Sequence, residues 1–479
     1  MLIKHSLYYL LARGVPGITN LLATIIYTRI IAPYEYGQYS MILSIVNICN
    51  IVLFNWIRLG LLRYMPSYTD KRNNILSTTL VSFCTIILLT AVLGSIGYFL
   101  IPLSEQFHKL FILILIMLWA QAFFELNLEL LRSELSPIKY GFVSTAKSII
   151  TLIFSVIFLL LGSGFVGIVW GAILGFIFSF TIQIKKTWSN ARLHLIDPAL
   201  IKDFLIYGLP LTVIFSFGLI INFSDRLFLV YFKGYTEAGL YSVAYDFTQY
   251  TIILIMVVIN LASYPIVIRT LENEGMEKAK IKLIDNITLL LLVSLPVVLC
   301  MTILNNQIAM IIFGSRFQET ASKIIPVVTI SMFLLGIKNY YFDLAFQISK
   351  KTTLQIIPVF IGALISVTLN YYLVPKTGII GAGYSAIISY SASIVLSYTI
   401  GRKVTPLPIP LKDVAKILCA TAISGLVLFS IRNYSGILAF LFQIITLITI
   451  YSFCIGLMNV WELPRKLSKL MKKKVSMGN

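Results

Sequence analysis

Residues 204–231 read FLIYGLPLTVIFSFGLIINFSDRLFLVY, and only Asp225 and Arg226 in this stretch are charged. A helix needs about 20 mostly apolar residues to cross the hydrocarbon core of a bilayer, so the stretch is long enough. Lipid offers no hydrogen-bond partner to an exposed backbone, which favours a helix over an open strand. The stretch therefore predicts a transmembrane helix with charged side chains within its length.

The rest of the chain has the same character. Its 479 residues are 58% hydrophobic and 12% charged, with a mean hydropathy of +0.91. A soluble domain is about 25% charged. We predict an all-α polytopic membrane protein of fourteen spans, numbered 1 to 14. They lie near residues 7–31, 39–62, 76–101, 110–131, 141–161, 165–184, 204–231, 240–268, 284–304, 324–347, 354–374, 379–400, 414–431 and 437–459.

Basic residues outnumber acidic ones by 38 to 19, which gives a formal net charge of +19. Most lie in short connectors between apolar runs, so we expect them to orient the chain and not to bind nucleic acid. With a cytoplasmic N-terminus, the inside segments hold about 25 Lys and Arg residues and the outside loops about six. This bias predicts that both termini are cytoplasmic. The inside set includes Lys71, Lys185, Lys186 and a basic tail after span 14.

Three short motifs occur twice, in the same order. The first is Glu35-Tyr-Gly-Gln-Tyr-Ser40, which recurs as Glu237-Ala-Gly-Leu-Tyr-Ser242. The second has Glu125, Glu129 and Arg132, which recur as Asp343, Gln347 and Lys350. The third has Gly164 and Gly167, which recur as Gly378 and Gly381. Each repeat covers six spans, an even number, so both copies cross the membrane in the same direction. The chain is therefore predicted to form two parallel six-helix lobes that face a central cavity. These are residues 1–200 with spans 1–6 and residues 201–401 with spans 7–12, while residues 402–479 hold spans 13 and 14 and the tail.

Polar side chains recur at helical spacing in spans 1, 2, 7 and 8. Charges at bilayer depth are expensive and usually face a cavity or a partner. Guanidinium groups match phosphate oxygens, and paired tyrosines can stack on sugars. The alternatives are that Arg13 and Arg58 reach lipid headgroups and that Arg226 pairs with a carboxylate. The predicted substrate-binding residues are Arg13, Asn20, Asn47, Arg58, Asn222, Arg226, Tyr241 and Tyr245.

Four carboxylates at depth are candidates to bind a coupling H⁺ or Na⁺, namely Asp225, Glu125, Glu129 and Asp343. Asp225 is the first choice because it shares a helix face with Asn222 and adjoins Arg226. Alternatively, Glu125 or Glu129 pairs with Arg132. Lys147 and Lys338 receive no role. We find no nucleotide-binding loop, catalytic constellation or metal-ligand spacing, so no catalytic residue, metal or organic cofactor is predicted.

The segment Thr28-Arg-Ile-Ile-Ala-Pro-Tyr-Glu-Tyr-Gly-Gln-Tyr-Ser40 follows span 1, and Asn222-Phe-Ser-Asp-Arg-Leu-Phe-Leu-Val-Tyr231 precedes Glu237-Ala-Gly-Leu-Tyr-Ser-Val-Ala244. On these segments the chain resembles the bacterial Wzx-type polysaccharide flippases. That family shares the multidrug/oligosaccharidyl-lipid/polysaccharide exporter superfamily with multidrug extruders and lipid II flippases. The helix count and the repeat extend the resemblance over essentially the whole chain.

The resemblance implies a flippase that moves undecaprenyl-pyrophosphate-linked oligosaccharide repeat units of O-antigen, capsule or exopolysaccharide to the outer leaflet. It implies alternating access driven by an ion gradient in the bacterial cytoplasmic (inner) membrane. Membrane lipids, and a polysaccharide polymerase or glycosyltransferases of the same pathway, are the implied partners. Arg13, Arg58 and Arg226 then form a cationic cavity, although Asp225 and Asp246 make it less basic than a pure anion carrier needs.

Two alternatives remain. A multidrug exporter of the same superfamily favours an acidic cavity for cationic substrates, whereas this chain offers three arginines. A membrane polymerase or glycosyltransferase usually has a long outside loop with clustered charged residues. No predicted outside loop here exceeds about twenty residues, so we expect a transporter and not an enzyme.

Overall fold

The computed structural model describes residues 2–66, 72–100, 105–134, 136–181, 188 and 191–460. The side chain of Arg13 lies outside what is described, as do Lys71, Lys185, Lys186 and the basic tail. Spans 1–6 are the helices Leu2–Ile30, Pro33–Tyr64, Arg72–Leu100, Glu105–Ser133, Pro137–Leu160 and Gly164–Thr181. Spans 7–12 are Pro198–Lys233, Tyr235–Glu274, Met276–Ile303, Ser315–Ile348, Thr352–Thr377 and Ile379–Val404, and spans 13 and 14 are Leu411–Ser430 and Ile437–Leu457.

Every predicted span corresponds to one of these helical segments, and the described ranges contain no strand. Twelve of the segments are long and apolar enough to cross a membrane, and span 6 contains a shorter apolar helix, Gly164–Ser179. A short helix, Asn305–Ile312, lies between spans 9 and 10. The prediction of an all-α, multi-span membrane protein is therefore confirmed.

The helices of the two lobes pack in the same pairs. In the first lobe span 5 packs on spans 1 and 6, and span 4 packs on spans 2 and 6. In the second lobe span 11 packs on spans 7 and 12, and span 10 packs on spans 8 and 12. The lobes meet mainly where span 2 lies against spans 7 and 8, while spans 13 and 14 pack on span 9. The equivalent pairing agrees with the parallel repeat; the division at residues 200 and 401 stays a prediction.

The two copies of the first repeated motif, residues 35–40 and 237–242, meet at one end of the lobe interface. We call this end the opposite face, and the end where span 1 begins the terminal face. Gly37 lies against the backbone of Tyr235 and Gly239, and Gly239 lies against the backbone of Pro33 and Gly37. A Cβ atom at either glycine would overlap backbone atoms of the other lobe. The opposite face is therefore closed by a backbone contact that only glycine permits.

Two spans of the second lobe contain a π-helical turn. It covers Gln249–Ile253 in span 8 and Lys338–Phe342 in span 10. Such a turn inserts a residue into the helix and redirects the side chains that follow, and π-helical turns are frequent at functional sites. The first turn contributes Gln249 and Tyr250 to the central cavity described below, and the second contains Lys338, which forms a buried ion pair.

Candidate functional site

A central cavity of about 260 Å³ lies between spans 1, 2, 4, 5 and 6 of the first lobe and spans 7 and 8 of the second. Its walls include the predicted residues Asn20, Asn47 and Arg226. Gln121 of span 4 also lines it and donates hydrogen bonds to Asn47 (3.0 Å) and Glu125 (2.8 Å). Its aromatic walls are formed by Tyr27, Tyr36, Tyr39, Phe176, Phe223 and Tyr250. Amide, hydroxyl and aromatic side chains in one cavity are suited to a sugar-bearing ligand.

A second-lobe cavity of about 760 Å³ lies between spans 7, 10, 11 and 12 and reaches Ile51 of span 2. Span 7 contributes most of its apolar wall, and spans 10 and 11 contribute most of its polar side chains. The predicted residue Asn222 lines it and accepts a hydrogen bond from Tyr390 (2.5 Å). The cavity continues to Thr352 and Thr353, which start span 11 at the terminal face. The second lobe is therefore open toward the terminal face.

The two described arginines of the predicted site are each held by a carboxylate. Arg58 of span 2 forms an ion pair with Glu125 of span 4. Arg226 forms one with Asp246 at 2.5 Å, and Asp246 also accepts a hydrogen bond from Tyr36 (2.9 Å). These arginines are buried, and separating such a pair leaves an uncompensated charge. A phosphate at either arginine must therefore compete with a carboxylate already in place.

Asp225 lies in a buried cluster of oxygen and amide groups between spans 7, 8 and 11. Its carboxylate is 1% exposed and accepts hydrogen bonds from Tyr241 and from Asn370, both at 2.7 Å. The hydroxyls of Ser224 and Ser366 lie beside it, 3.1 Å apart, and Asn370 also donates to both. None of the described residues forms an ion pair with Asp225. A buried carboxylate without a cationic partner can be neutralised by a proton or by a bound cation.

The other candidate carboxylates are paired. Asp343 is 1% exposed and accepts from Lys338 (2.7 Å), Gln355 (2.9 Å) and Ser397 (2.8 Å). Glu129 pairs with Arg132 at 3.4 Å, which is one of the two pairings predicted for Arg132. Glu125, the other predicted partner of Arg132, pairs with Arg58. Within the described ranges there is no group of three or more His, Cys, Asp or Glu residues that could hold a metal ion.

The structure buries two predicted sugar-contacting residues away from both cavities. Tyr241 is 0% and Tyr245 is 2% exposed. Tyr241 donates to Asp225, and the ring of Tyr245 lies under the Arg226 guanidinium, with 4.7 Å from its centroid to Cζ. Their helical spacing indicated a polar face correctly but did not show whether that face met a cavity or a partner.

Several residues of the site lie outside the polar helix faces that are predicted from the sequence. Asn370 and Tyr390 lie in spans 11 and 12, where we singled out no polar face. One available signal was the serine series Ser385, Ser389, Ser393 and Ser397, whose four-residue spacing marks the packed face of span 12. Lys147 was noted without a role, and it lines the central cavity.

Two repeated six-helix lobes around polar cavities, joined to two further helices, define a transporter-type membrane fold. The family described as "Polysaccharide biosynthesis protein" matches residues 2–271, more than half of the chain. The chain therefore belongs to the polysaccharide biosynthesis protein family. None of the curated proteins compared with the chain matches it.

Solved structures show the same fold. A lipid II flippase MurJ in an inward closed conformation is similar, with a TM-score of 0.78 and 17% identity, over 94% of this chain and 98% of that one. An inward-facing multidrug resistance MATE family transporter of the MOP superfamily has a TM-score of 0.64 and 15% identity, over 82% and 97% of the two chains. An outward-facing MATE transporter has a TM-score of 0.60 and 15% identity, over 84% and 94%.

Proposed function

We propose that the protein is a flippase for undecaprenyl-pyrophosphate-linked oligosaccharide repeat units, acting from the cytoplasmic to the outer leaflet. The observation that carries the proposal is the central cavity, where amide, hydroxyl, aromatic and cationic side chains converge between two repeated lobes. Membership in a polysaccharide biosynthesis family supports a glycan as cargo. Under this proposal the terminal face is cytoplasmic and the membrane is the bacterial inner membrane.

The two lobes then work by alternating access. The opposite face is closed by the contact of Gly37 with Gly239, whereas the second-lobe cavity continues to the terminal face. A central cavity of about 260 Å³ lies below the roughly 300–1,000 Å³ of most ligand pockets. The lobes must therefore separate at the terminal face to admit an oligosaccharide, with the prenyl chain remaining in lipid.

We further propose that Asp225 couples transport to an ion gradient. Its carboxylate is buried among Tyr241, Asn370, Ser224 and Ser366, in direct contact with spans 7, 8 and 11. Uptake of H⁺ or Na⁺ neutralises this charge and changes its hydrogen bonds with spans 8 and 11. The ion thereby favours one arrangement of these spans over the other.

The test uses the native host with the gene deleted and then restored. We expect complete lipid-linked repeat units to accumulate on the cytoplasmic leaflet and surface polysaccharide to be lost. A rise in the outer-leaflet pool with loss of polymer would instead indicate a polymerase. No change in either pool, once redundant flippases are removed, would contradict the proposal and make drug export the next measurement.

A further inference from the structure

Lys147 of span 5 lies in the central cavity near the middle of the membrane. It comes ten residues after Pro137, where span 5 begins, which places it about 15 Å along the helix axis. Its ammonium nitrogen is 4.5 Å from the centroid of the Phe176 ring. No hydrogen bond or ion pair joins this nitrogen to any other residue that the structure describes. A single aromatic ring compensates a buried cation only in part.

Three other buried cations are compensated differently. Arg58, Arg226 and Lys338 are paired with Glu125, Asp246 and Asp343, respectively. Their charges are matched inside the protein, whether or not a ligand is bound. Among the described cations that line the central cavity, Lys147 is thus the one whose charge no carboxylate of the protein neutralises.

Two residues that border the same cavity have hydroxyl groups without a well-aligned hydrogen-bond partner. Thr151 lies one helical turn after Lys147, and its buried hydroxyl packs against Gly175 of span 6 without a hydrogen-bond partner. The buried hydroxyl of Tyr27, from span 1, lies beside Ser155 of span 5 without a well-aligned hydrogen bond. An ionised phosphate or carboxylate oxygen only accepts hydrogen bonds, so it matches this set better than a sugar hydroxyl, which also donates.

We propose that Lys147 forms an oxyanion site for the head group of the transported lipid, and that the hydroxyls of Thr151 and Tyr27 turn toward the oxyanion when it binds. The inference rests on the proposed function and deepens it. The oxyanion is a phosphate of the pyrophosphate linker or a carboxylate of an acidic sugar. Lys147 thus takes the role predicted for Arg58 and Arg226, whose guanidinium groups instead hold the spans together through Glu125 and Asp246.

Purified full-length protein in detergent provides the test, with undecaprenyl pyrophosphate and free glucuronate as the two probes. Lys147→Met should raise the Kd for undecaprenyl pyrophosphate by about tenfold or more if phosphate is bound, and Lys147→Arg should restore most of the affinity. If a sugar carboxylate is bound, the same changes appear with glucuronate alone. Thr151→Val should raise the same Kd about threefold. Lys376→Met, at an exposed lysine near the end of span 11, removes the same charge and should change neither Kd.

The site would be overturned if the Lys147→Met and Thr151→Val variants bound both probes as tightly as the wild-type protein. It would also be overturned if the wild-type protein bound neither probe. Full complementation of the deletion by Lys147→Met would overturn it while leaving the flippase proposal intact. Charge-dependent binding without any accumulation of lipid-linked units in the deletion strain would support the site and contradict the flippase proposal.

Discussion

Glu125 in the first lobe and Asp343 in the second occupy equivalent places in the repeat, yet their surroundings differ. Glu125 has a side chain that is 32% exposed and pairs with Arg58 from a neighbouring span. Asp343 is 1% exposed and pairs with Lys338 of its own span, across a π-helical turn. The same motif therefore supports a partly exposed ion pair between helices in one lobe and, in the other, a buried pair within one helix at the wall of the second-lobe cavity.

A second difference separates the lobes. The first repeated motif recurs after 202 residues, from Glu35 to Glu237. With the same spacing, Asp225 of span 7 corresponds to Ala23 of span 1, so the first lobe lacks an equivalent carboxylate. The first lobe instead presents Lys147 to the central cavity. This contrast suggests that the first lobe binds the anionic cargo while the second lobe binds the coupling ion.

The largest expected effect tests the buried Lys338–Asp343 pair against the partly exposed Arg58–Glu125 pair. Asp343→Asn leaves Lys338 buried without a carboxylate and should reduce the free energy of unfolding by about 3–5 kcal/mol. Glu125→Gln should reduce it by only about 1–2 kcal/mol, because Glu125 is partly exposed and Glu129 still offsets the charge of the buried Arg58. Thermal unfolding of the two purified variants measures the difference. Equal losses would mean that the lobes do not differ in this respect.

The next effect concerns the contact that closes the opposite face. Gly37→Ala and Gly239→Ala each place a methyl group against backbone and should disfavour closure by about 1–3 kcal/mol. Labelling of Tyr235→Cys by an impermeant maleimide should then increase. Gly218→Ala is the matched control, since open space surrounds that glycine. Because the two glycines are related by the repeat, unequal effects would argue against a symmetric closure.

A third prediction addresses Asp225. Asp225→Asn keeps the side-chain volume but removes the ionisable group, so transport should fall about tenfold or more and lose its dependence on the ion gradient. Binding of undecaprenyl pyrophosphate should remain within about twofold of wild type, because the proposed oxyanion site lies in the other lobe. Transport by this variant that still follows the gradient would remove Asp225 from the coupling step.

The smallest effect is expected at the edge of the first lobe. Arg132 is half exposed, and its nitrogen is 3.4 Å from Glu129. Arg132→Ala should change the free energy of unfolding by about 0.5 kcal/mol or less, as for most exposed ion pairs. A clearly larger loss in thermal unfolding would show that this pair belongs with the buried pairs and not with the surface.

The sequence alone determined the fourteen spans, the helical class and the repeat, because span length and hydropathy are local requirements of a bilayer. It also located the polar helix faces, since helical spacing alone determines which residues share a face. It was less accurate at the span ends. Span 7 begins at Pro198 and not near residue 204, because a helix continues past the apolar run that identifies it.

Only the tertiary structure decided how the polar residues are used. Arg58 meets Glu125 because spans 2 and 4 pack together, and Arg226 meets Asp246 because spans 7 and 8 do. Tyr241 was assigned to a sugar and instead contacts Asp225. Whether a charge is paired or free depends on helices distant in sequence, and helical spacing within one span carries no such information.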